Sequence, residues 1–577
     1  MRSEHQDISI VIVGEAGQGI QTVEQLFVSL LHKMNYYVFS TKEYMSRVRG
    51  GSNSTEIRAF LLPINSFVDR IDILIILDEN AFAHISHRVS DDTIIIGDES
   101  MVSSISHPHV FSFDLVNSAK KIGNMVYANT IAVGLLASLF HIYPNELKNH
   151  ISSFFSHKSK KIIDDNIQAV NKGLSFGQTL SSSIAISKQG KPSQKTDNPN
   201  PLLLLNGTQA IGLGALAAGV NFISSYPMSP STGVLTYLAN HGKKANVFVE
   251  QAEDEIAAIN MALGAWYTGA RALVTTSGGG FALMSEGLSL AAMTETPIVI
   301  HVAQRPGPAT GLPTRTEQGD LQLARYAGHG EFPRIIYAPG TLQEGFFLTK
   351  NAFDMADKYQ IPVIILSDQY FVDSKYQTSS FLELDKKPNH HIVKTTSSYK
   401  RYELDQSGVS PRGIPGYGSG FVCVDSDEHD EYGRITESSQ VRKQMVEKRL
   451  QKMQYIRNKS ILPTLYGSID YDTLLIGWGS TIHTIEEARK QLNDNTISFL
   501  HFSQVYPFHP KTEKYLKTAD RIITIENNAT AQFAHILAEE TGFSSDAHIL
   551  QYTGHPFSVE TLVQKIPETI HAMEGKK

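Results

Sequence analysis

The sequence predicts a multidomain α/β protein built on open parallel sheets. Three observations predict it. Short apolar runs at 8–13, 73–77 and 93–96 have the length and continuity of strands buried on both faces. Runs of this kind alternate with stretches of helical periodicity, the pattern a parallel sheet requires. At 577 residues the chain has core material for roughly three or four domains of about 100–200 residues each.

Composition sets the bounds. The chain is 41% hydrophobic and 19% charged, the balance of an ordinary soluble globular protein. A net charge of −7 gives no basic footprint for nucleic acid. The single cysteine, Cys423, can form no internal disulfide and cannot hold a zinc ion or an iron–sulfur cluster by itself. If the protein handles electrons, the cluster sits on another chain. The charged N-terminal stretch leads straight into a strand-like run, without a signal peptide. The longest apolar region, residues 202–223, is broken by Asn206, Thr208, Gln209 and several glycines, which suits a strand, turn and helix better than a membrane span. The expected location is cytoplasmic, with neither nucleic acid nor membrane as a partner.

In the first domain, residues 1–185, the strand at 8–13 runs into Gly14, Gly17, Gln18 and Gly19 and then a helix through about Met34. A strand, glycine turn and helix N-terminus form a place for an anion, because free N–H groups point outward and no side chain blocks approach. The glycine spacing departs from the dinucleotide fingerprint, so a structural turn fits it as well. The stretch Ser46, Arg47, Val48, Arg49, Gly50, Gly51, Ser52 and Asn53 is basic, flexible and rich in hydroxyls, suited to phosphate or carboxylate capture, or to a solvated loop. A polar linker at 186–201 follows.

The second domain, residues 202–390, opens with Asn206 as a helix cap. A strand at 222–225 enters Tyr226, Pro227, Met228, Ser229, Pro230, Ser231 and Thr232, where two prolines stiffen a loop that displays Ser229, Ser231 and Thr232. A further strand near 247–249 precedes a helix on which Ala252, Glu255, Ile259 and Ala262 share one face. That face is small and apolar except for Glu255, whereas Glu250, Glu253 and Asp254 point other ways and can be solvated. A carboxyl so placed suggests a site that holds a proton; an acidic helix N-terminus complementing the macrodipole is the plainer alternative. The strand at 272–276 ends in Ser277 and a triple-glycine loop, Gly278, Gly279 and Gly280. A buried strand at 298–302 delivers Arg305 to a rigid Pro/Gly loop, and Asp368 reads as a turn or interface residue.

Residues 391–465 read as an irregular connecting segment ending in a solvated amphipathic helix at 442–453. Residues 466–577 restart the strand–loop–helix pattern, with His509 in a structural turn.

Four stretches together carry a family resemblance: Tyr226 to Thr232, the Glu255 helix, Thr276 to Gly280, and Gln304 to Thr314. They resemble the alpha subunit of 2-oxoacid:ferredoxin oxidoreductases. The glycine turn at 14–19 and Arg49-Gly50-Gly51 resemble that family's gamma domain, fused here in front, and residues 410–416 and 426–433 resemble its 2-oxoglutarate-type branch. Gly279 stands where the family commonly has proline, and Ser229 where it has threonine. The resemblance implies a gamma-type domain that binds coenzyme A, a pyrimidine-binding domain for thiamine diphosphate, and a transketolase C-terminal-like domain that packs and orients.

It further implies oxidative decarboxylation of a 2-oxoacid, 2-oxoglutarate foremost and pyruvate or another as the alternative, with coenzyme A and ferredoxin. Glu255 would share a proton with the pyrimidine ring and work best desolvated, with its pKa raised toward neutrality. Tyr226, Pro227, Ser277 and Gly278 would contact the cofactor. Arg305 would pair the substrate carboxylate, Ser229 would lie near its carboxylate or carbonyl, and Thr310, Thr314 and Arg315 could contact a second carboxylate. Coenzyme A would lie on Gly17, Gln18, Gly19, Ser46, Arg49, Gly50, Gly51, Ser52 and Asn53. Mg2+ and the iron–sulfur cluster are expected on a beta subunit in an alpha2beta2 assembly, so this chain alone would be inactive. A nicotinamide or flavin oxidoreductase is the rival suggested by the first glycine turn, and a non-catalytic coenzyme A-binding scaffold is another.

Overall fold

The computed structural model describes residues 7–15, 19–45, 51–181, 202–381 and 388–575. The linker at 186–201 lies outside them, as do Gly17, Gln18, Ser46, Arg49 and Gly50 and the side chain of Ser52. The chain divides into two compact units, residues 1–205 with 374–380 and residues 206–373 with 381–577. Among the described residues no single helix is long and apolar enough to cross a membrane.

The first unit holds an eight-stranded sheet in the order Val110–Phe113, Ile94–Asp98, Ile73–Ile76, Ile8–Glu15, Ser52–Phe60, Tyr37–Glu43, Lys375–Thr378 and Leu203–Asn206. The first four strands of that order are parallel. From Ile8–Glu15 onward the pairings to Ser52–Phe60, Tyr37–Glu43 and Lys375–Thr378 are antiparallel. The expected open parallel sheet is therefore a mixed one. The strands Tyr37–Glu43 and Ser52–Phe60 are too close in sequence for the crossover that parallel neighbours need. The helix Ile20–Lys33 packs Val23, Phe27 and Leu30 into the core. Glu24 on the same helix is fully buried, accepting from Ser40 Oγ at 2.9 Å and from Lys375 Nζ at 3.1 Å. Burial would raise its carboxyl, but Lys42 and Lys375 hold it below the usual carboxylate range.

The second unit contains two sheets on one continuous apolar core. The larger runs in the order Gln504–Tyr506, Ile335–Tyr337, Pro362–Asp368, Ile298–Gln304, Ala272–Thr276, Phe222–Ser225 and Phe248–Gln251, and all pairs but the first are parallel. The smaller runs in the order Thr464–Tyr466, Ile497–Phe502, Thr473–Trp478, Arg521–Glu526 and Ala547–Leu550, parallel beyond its first pair. Gln504–Tyr506 leaves the C-terminal region to close the edge of the larger sheet, which ties the two together. Asp368, at the end of Pro362–Asp368, accepts from Phe371 N at 2.8 Å in the turn that follows and from Ser480 Oγ at 2.5 Å.

The helix expected to be solvated at 442–453 spans Ser439–Lys459 and is pinned instead. Lys448, Arg449 and Lys452 are buried, and the two lysines converge on buried Glu295, with Lys448 Nζ at 2.7 Å and Lys452 Nζ at 2.5 Å from its oxygens. Arg401 donates to the Glu295 carbonyl at 2.6 Å. Burial would raise the Glu295 carboxyl, but Lys448, Lys452 and Arg401 hold it well below the usual carboxylate range. A run of basic residues without a visible acidic partner reads as a solvated face; the partner lies in a turn more than a hundred residues away in sequence.

Candidate active site

Four adjacent parallel strands of the larger sheet bring their C-terminal ends to one edge: Phe248–Gln251, Phe222–Ser225, Ala272–Thr276 and Ile298–Gln304. Open sheets bind ligands at that edge. The Tyr226 loop, the Glu255 helix, the Ser277 turn and the Arg305 loop each leave one of these strands.

Asp254 caps the helix Glu255–Tyr267, accepting from Ala257 N at 2.7 Å. Ser224 Oγ donates to Ala258 O at 2.6 Å and ties the helix to the neighbouring strand. With the helix so fixed, Glu255 turns inward on the face shared with Ile259 and Ala262 and is 3% exposed, while Glu253 and Asp254 are exposed. Its Oε1 is buried without a hydrogen-bond partner. Leaving such a group unsatisfied costs about 1–3 kcal/mol, and the oxygen is open to a hydrogen-bond donor.

The triple glycine is not a loop. Ser277 precedes a short helix, Gly278–Leu283, and the glycines form its first turn because neighbours approach too closely for a side chain. A β-carbon on Gly280 would meet Thr276 Oγ1 at 2.1 Å and Glu255 Oε1 at 2.5 Å, and one on Gly278 would meet Asp320 Oδ2 at 2.2 Å. A β-carbon on Gly279 would meet only Ala309 O at 3.7 Å. Ser277 Oγ and Asp320 Oδ2 are buried without partners, like Glu255 Oε1.

Arg305 donates from Nη1 to the Ser229 carbonyl at 2.7 Å, which joins the two loops. Ser229 and Tyr226 are exposed and Pro227 is half-buried. Ser231, expected on display, is buried and donates to Met228 O at 2.8 Å, and Thr232 begins the next helix, Thr232–Ala245. Thr310 is exposed and Thr314 half-buried.

Asp320 is the member that sequence reasoning missed. It stands at the start of the helix Leu321–Tyr326 but makes no capping hydrogen bond; its N–H donates to Gln304 Oε1 at 2.9 Å. Burial pushes its carboxyl up to about 6, against the pull of the Arg305 charge. Burial likewise lowers the Arg305 guanidinium, which Asp320 partly restores. An Asp before a short helix looks like an ordinary cap, so only the idle side chain distinguishes it.

The C-terminal region braces this loop. Thr316 N donates to Gly554 O at 3.1 Å, Gln318 N to Asn527 O at 2.7 Å, and Gln318 Nε2 to Trp478 O at 2.8 Å. His509, expected to be structural, accepts from Lys511 N at 3.0 Å.

In the first unit, Gly19 and Asn53 line one cavity of about 320 Å³ with Glu15, Thr22, Lys42 and Thr55. Gly19 has φ 83°, and a β-carbon there would meet Asn129 Nδ2 at 2.6 Å. Asn53 Oδ1 accepts from Met45 N at 3.1 Å. Gly51 is half-buried, packed against Met45.

Fold and site together define an α/β enzyme subunit with an inward carboxyl and an anion-seeking guanidinium at the mouth of a parallel sheet. Residues 213–448 match the family described as pyruvate flavodoxin/ferredoxin oxidoreductase, thiamine diphosphate-binding, and residues 9–176 the one described as pyruvate ferredoxin/flavodoxin oxidoreductase. The 2-oxoacid:ferredoxin oxidoreductase subunit alpha of a Sulfolobus species is 32% identical over 631 aligned residues, 99% of this chain and 98% of that one. The 2-oxoglutarate synthase subunit KorA of Methanocaldococcus jannaschii is 32% identical over 56% of this chain and 88% of its own length. A solved structure of 2-oxoglutarate:ferredoxin oxidoreductase from Magnetococcus marinus, with 2-oxoglutarate, coenzyme A and succinyl-CoA bound, matches with TM-score 0.87 and 29% identity over 98% of this chain and 100% of that one. The chain belongs to the thiamine diphosphate-dependent 2-oxoacid:ferredoxin oxidoreductase family and aligns over nearly its whole length with alpha subunits of that family. The nicotinamide or flavin alternative is set aside, because the glycine turn that suggested it lies within the 9–176 match.

Proposed function

We propose that this subunit works on 2-oxoglutarate, converting it with coenzyme A and two oxidised ferredoxins to succinyl-CoA, carbon dioxide, a proton and two reduced ferredoxins. Naming of the KorA relative and the ligands of the Magnetococcus marinus enzyme support this substrate. The observation that carries the mechanism is Glu255. An orphaned buried carboxyl oxygen, in a cradle kept open by Gly280, fits a ring nitrogen of an aminopyrimidine.

Thiamine diphosphate, when bound, supplies the electron sink that lets a 2-oxoacid lose carbon dioxide. The chain's own residues do the rest. Glu255 shares a proton with the ring nitrogen, and its burial keeps that proton from exchanging with bulk water. Ser277 and Gly278, with Tyr226 and Pro227, shape the cofactor's seat. Arg305 pairs the substrate's C1 carboxylate, which a planar guanidinium can hold through two hydrogen bonds. Ser229 offers its hydroxyl to the oxo group, and Thr310 and Thr314 face the distal carboxylate.

A beta subunit provides the Mg2+ site, the diphosphate grip and the iron–sulfur cluster, since a chain with one cysteine cannot ligate a cluster alone. The assembly is alpha2beta2, in the cytoplasm, and passes electrons to ferredoxin. Coenzyme A lies over residues 17–19 and 46–53 of the first unit. The test is co-purification with the beta subunit, followed by turnover of 2-oxoglutarate, pyruvate and 2-oxobutyrate with a viologen acceptor. Preference for 2-oxoglutarate supports the assignment; preference for pyruvate overturns the substrate, and activity of the isolated chain overturns the division of labour.

A further inference from the structure

The mechanism above leaves one half-buried acid of the site unused. Asp320 presents a buried Oδ2 without a partner, pressed against the Gly278 backbone so closely that no side chain fits there. The ionisable groups around it are few. Arg305 directly follows Gln304, the strand-end residue whose Oε1 accepts from Asp320 N at 2.9 Å, and it donates to the Ser229 carbonyl, not to Asp320. Glu317 lies on the same loop, and burial together with the Asp320 charge raises its carboxyl. The Gly278–Leu283 helix start presents Ser277 and glycine, with Glu255 meeting it two residues on at Gly280. Gln532, from the helix behind, donates to Gly319 O at 2.8 Å and carries no charge.

This arrangement has a consequence for an arriving anion. With Arg305 positive and Asp320 negative, the pocket carries no net charge from the pair. A second carboxylate brought onto Arg305 would leave one negative charge uncompensated beside the buried Oδ2 of Asp320, which is costly where water is partly excluded. A proton on Asp320 removes that cost. It also frees the acid to donate a hydrogen bond instead of repelling the substrate. We propose that substrate binding is coupled to proton uptake at Asp320: when a 2-oxoacid carboxylate pairs with Arg305, the Asp320 carboxylate beside it takes one proton from solvent. Asp320 is thus a positioning residue that sets the charge Arg305 offers, and the inference rests on Arg305 being the carboxylate partner. Burial already brings Asp320 to about 6, within reach of such a change near neutrality.

The experiment uses the chain in complex with its beta subunit. Glutarate, which has both carboxylates of 2-oxoglutarate but no oxo group to react, is titrated calorimetrically at pH 7.5 in two buffers of different ionisation heat. Wild type is expected to take up about one proton per site, and the glutarate Kd to weaken about tenfold per pH unit above neutrality. Asp320→Asn is expected to bind with almost no proton uptake and a level Kd. In steady state, KM for 2-oxoglutarate rises with pH in wild type and stays level in Asp320→Asn, while the shape of kcat against pH is unchanged. Proton-free binding by wild type, a level wild-type KM, or uptake that persists in Asp320→Asn overturns the proposal. Undiminished glutarate binding by Arg305→Ala overturns instead the assignment of Arg305, and the proposal with it.

Discussion

The Glu255 carboxyl rests against the backbone of Gly280, where a β-carbon would stand 2.5 Å from its Oε1. Glycine at 280 is what lets an acid on one helix reach the first turn of the next without a side chain between them. The inward carboxyl and the glycine turn are thus two halves of one seat.

Glu255→Gln keeps the shape of the side chain and removes the acid. Turnover of the assembled enzyme is expected to fall about 10²–10⁴-fold with the melting temperature nearly unchanged. Activity above about a tenth of wild type lies outside that range and would remove Glu255 from the mechanism.

Gly280→Ala drives a methyl group into Thr276 Oγ1 and Glu255 Oε1, whereas Gly279→Ala meets only Ala309 O at 3.7 Å. The first substitution is expected to abolish thiamine diphosphate binding, followed by calorimetry, and the second to leave it intact. Equal affinity in both variants would refute the cradle.

Glu295→Ala strips the counter-charge from Lys448 and Lys452, which are both buried. A loss of about 3–5 kcal/mol in denaturant unfolding is expected, because two ammonium groups are left unpaired in the interior. Adding Lys448→Met and Lys452→Met is expected to recover much of it. A loss under about 1 kcal/mol would mean the cluster behaves like surface pairs.

His301 is buried between Thr275 Oγ1 and Ser367 Oγ, each at 2.8 Å, and burial depresses it to about 3. The folded chain therefore binds fewer protons here than the unfolded chain between about 3 and 6.5. The contribution of neutral His301 is full above pH 6.5 and declines as pH falls toward 3. The stability of wild type relative to His301→Gln is expected to decline by about 1.4 kcal/mol per pH unit in that window. A difference that stays constant with pH would show that His301 is protonated in the fold.

Gln318→Ala removes the side-chain bonds to Trp478 O and from Asn527 N, while the backbone bond from Gln318 N to Asn527 O remains, and leaves those buried groups unsatisfied at a cost of about 1–3 kcal/mol. KM for the 2-oxoacid is expected to rise more than kcat falls if the loop positions substrate as proposed. A change in kcat alone would place the loop's work in the chemical step.

Much of the site is local in origin, and so was visible in the residues themselves. The spacing of Ala252, Glu255, Ile259 and Ala262 puts one acid on a small apolar helix face whatever surrounds it. Two prolines stiffen the Tyr226 loop, and Asn206 caps its helix, accepting from Gln209 N at 2.9 Å. The order of apolar runs likewise announces strands alternating with helices, because periodicity reports which faces are hidden.

What needed the folded chain is whatever depends on partners distant in sequence. Lys448 and Lys452 meet Glu295, Asp320 meets Gly278, and Gln318 is held by Trp478 and Asn527. The antiparallel half of the first sheet comes from pairings across loops that carry no register signal of their own. Hydrophobic period tells a side chain to go inside; which charge, glycine or carbonyl it finds there is settled by packing, since interior charges and close contacts are tolerated only where a complementary group is already in place.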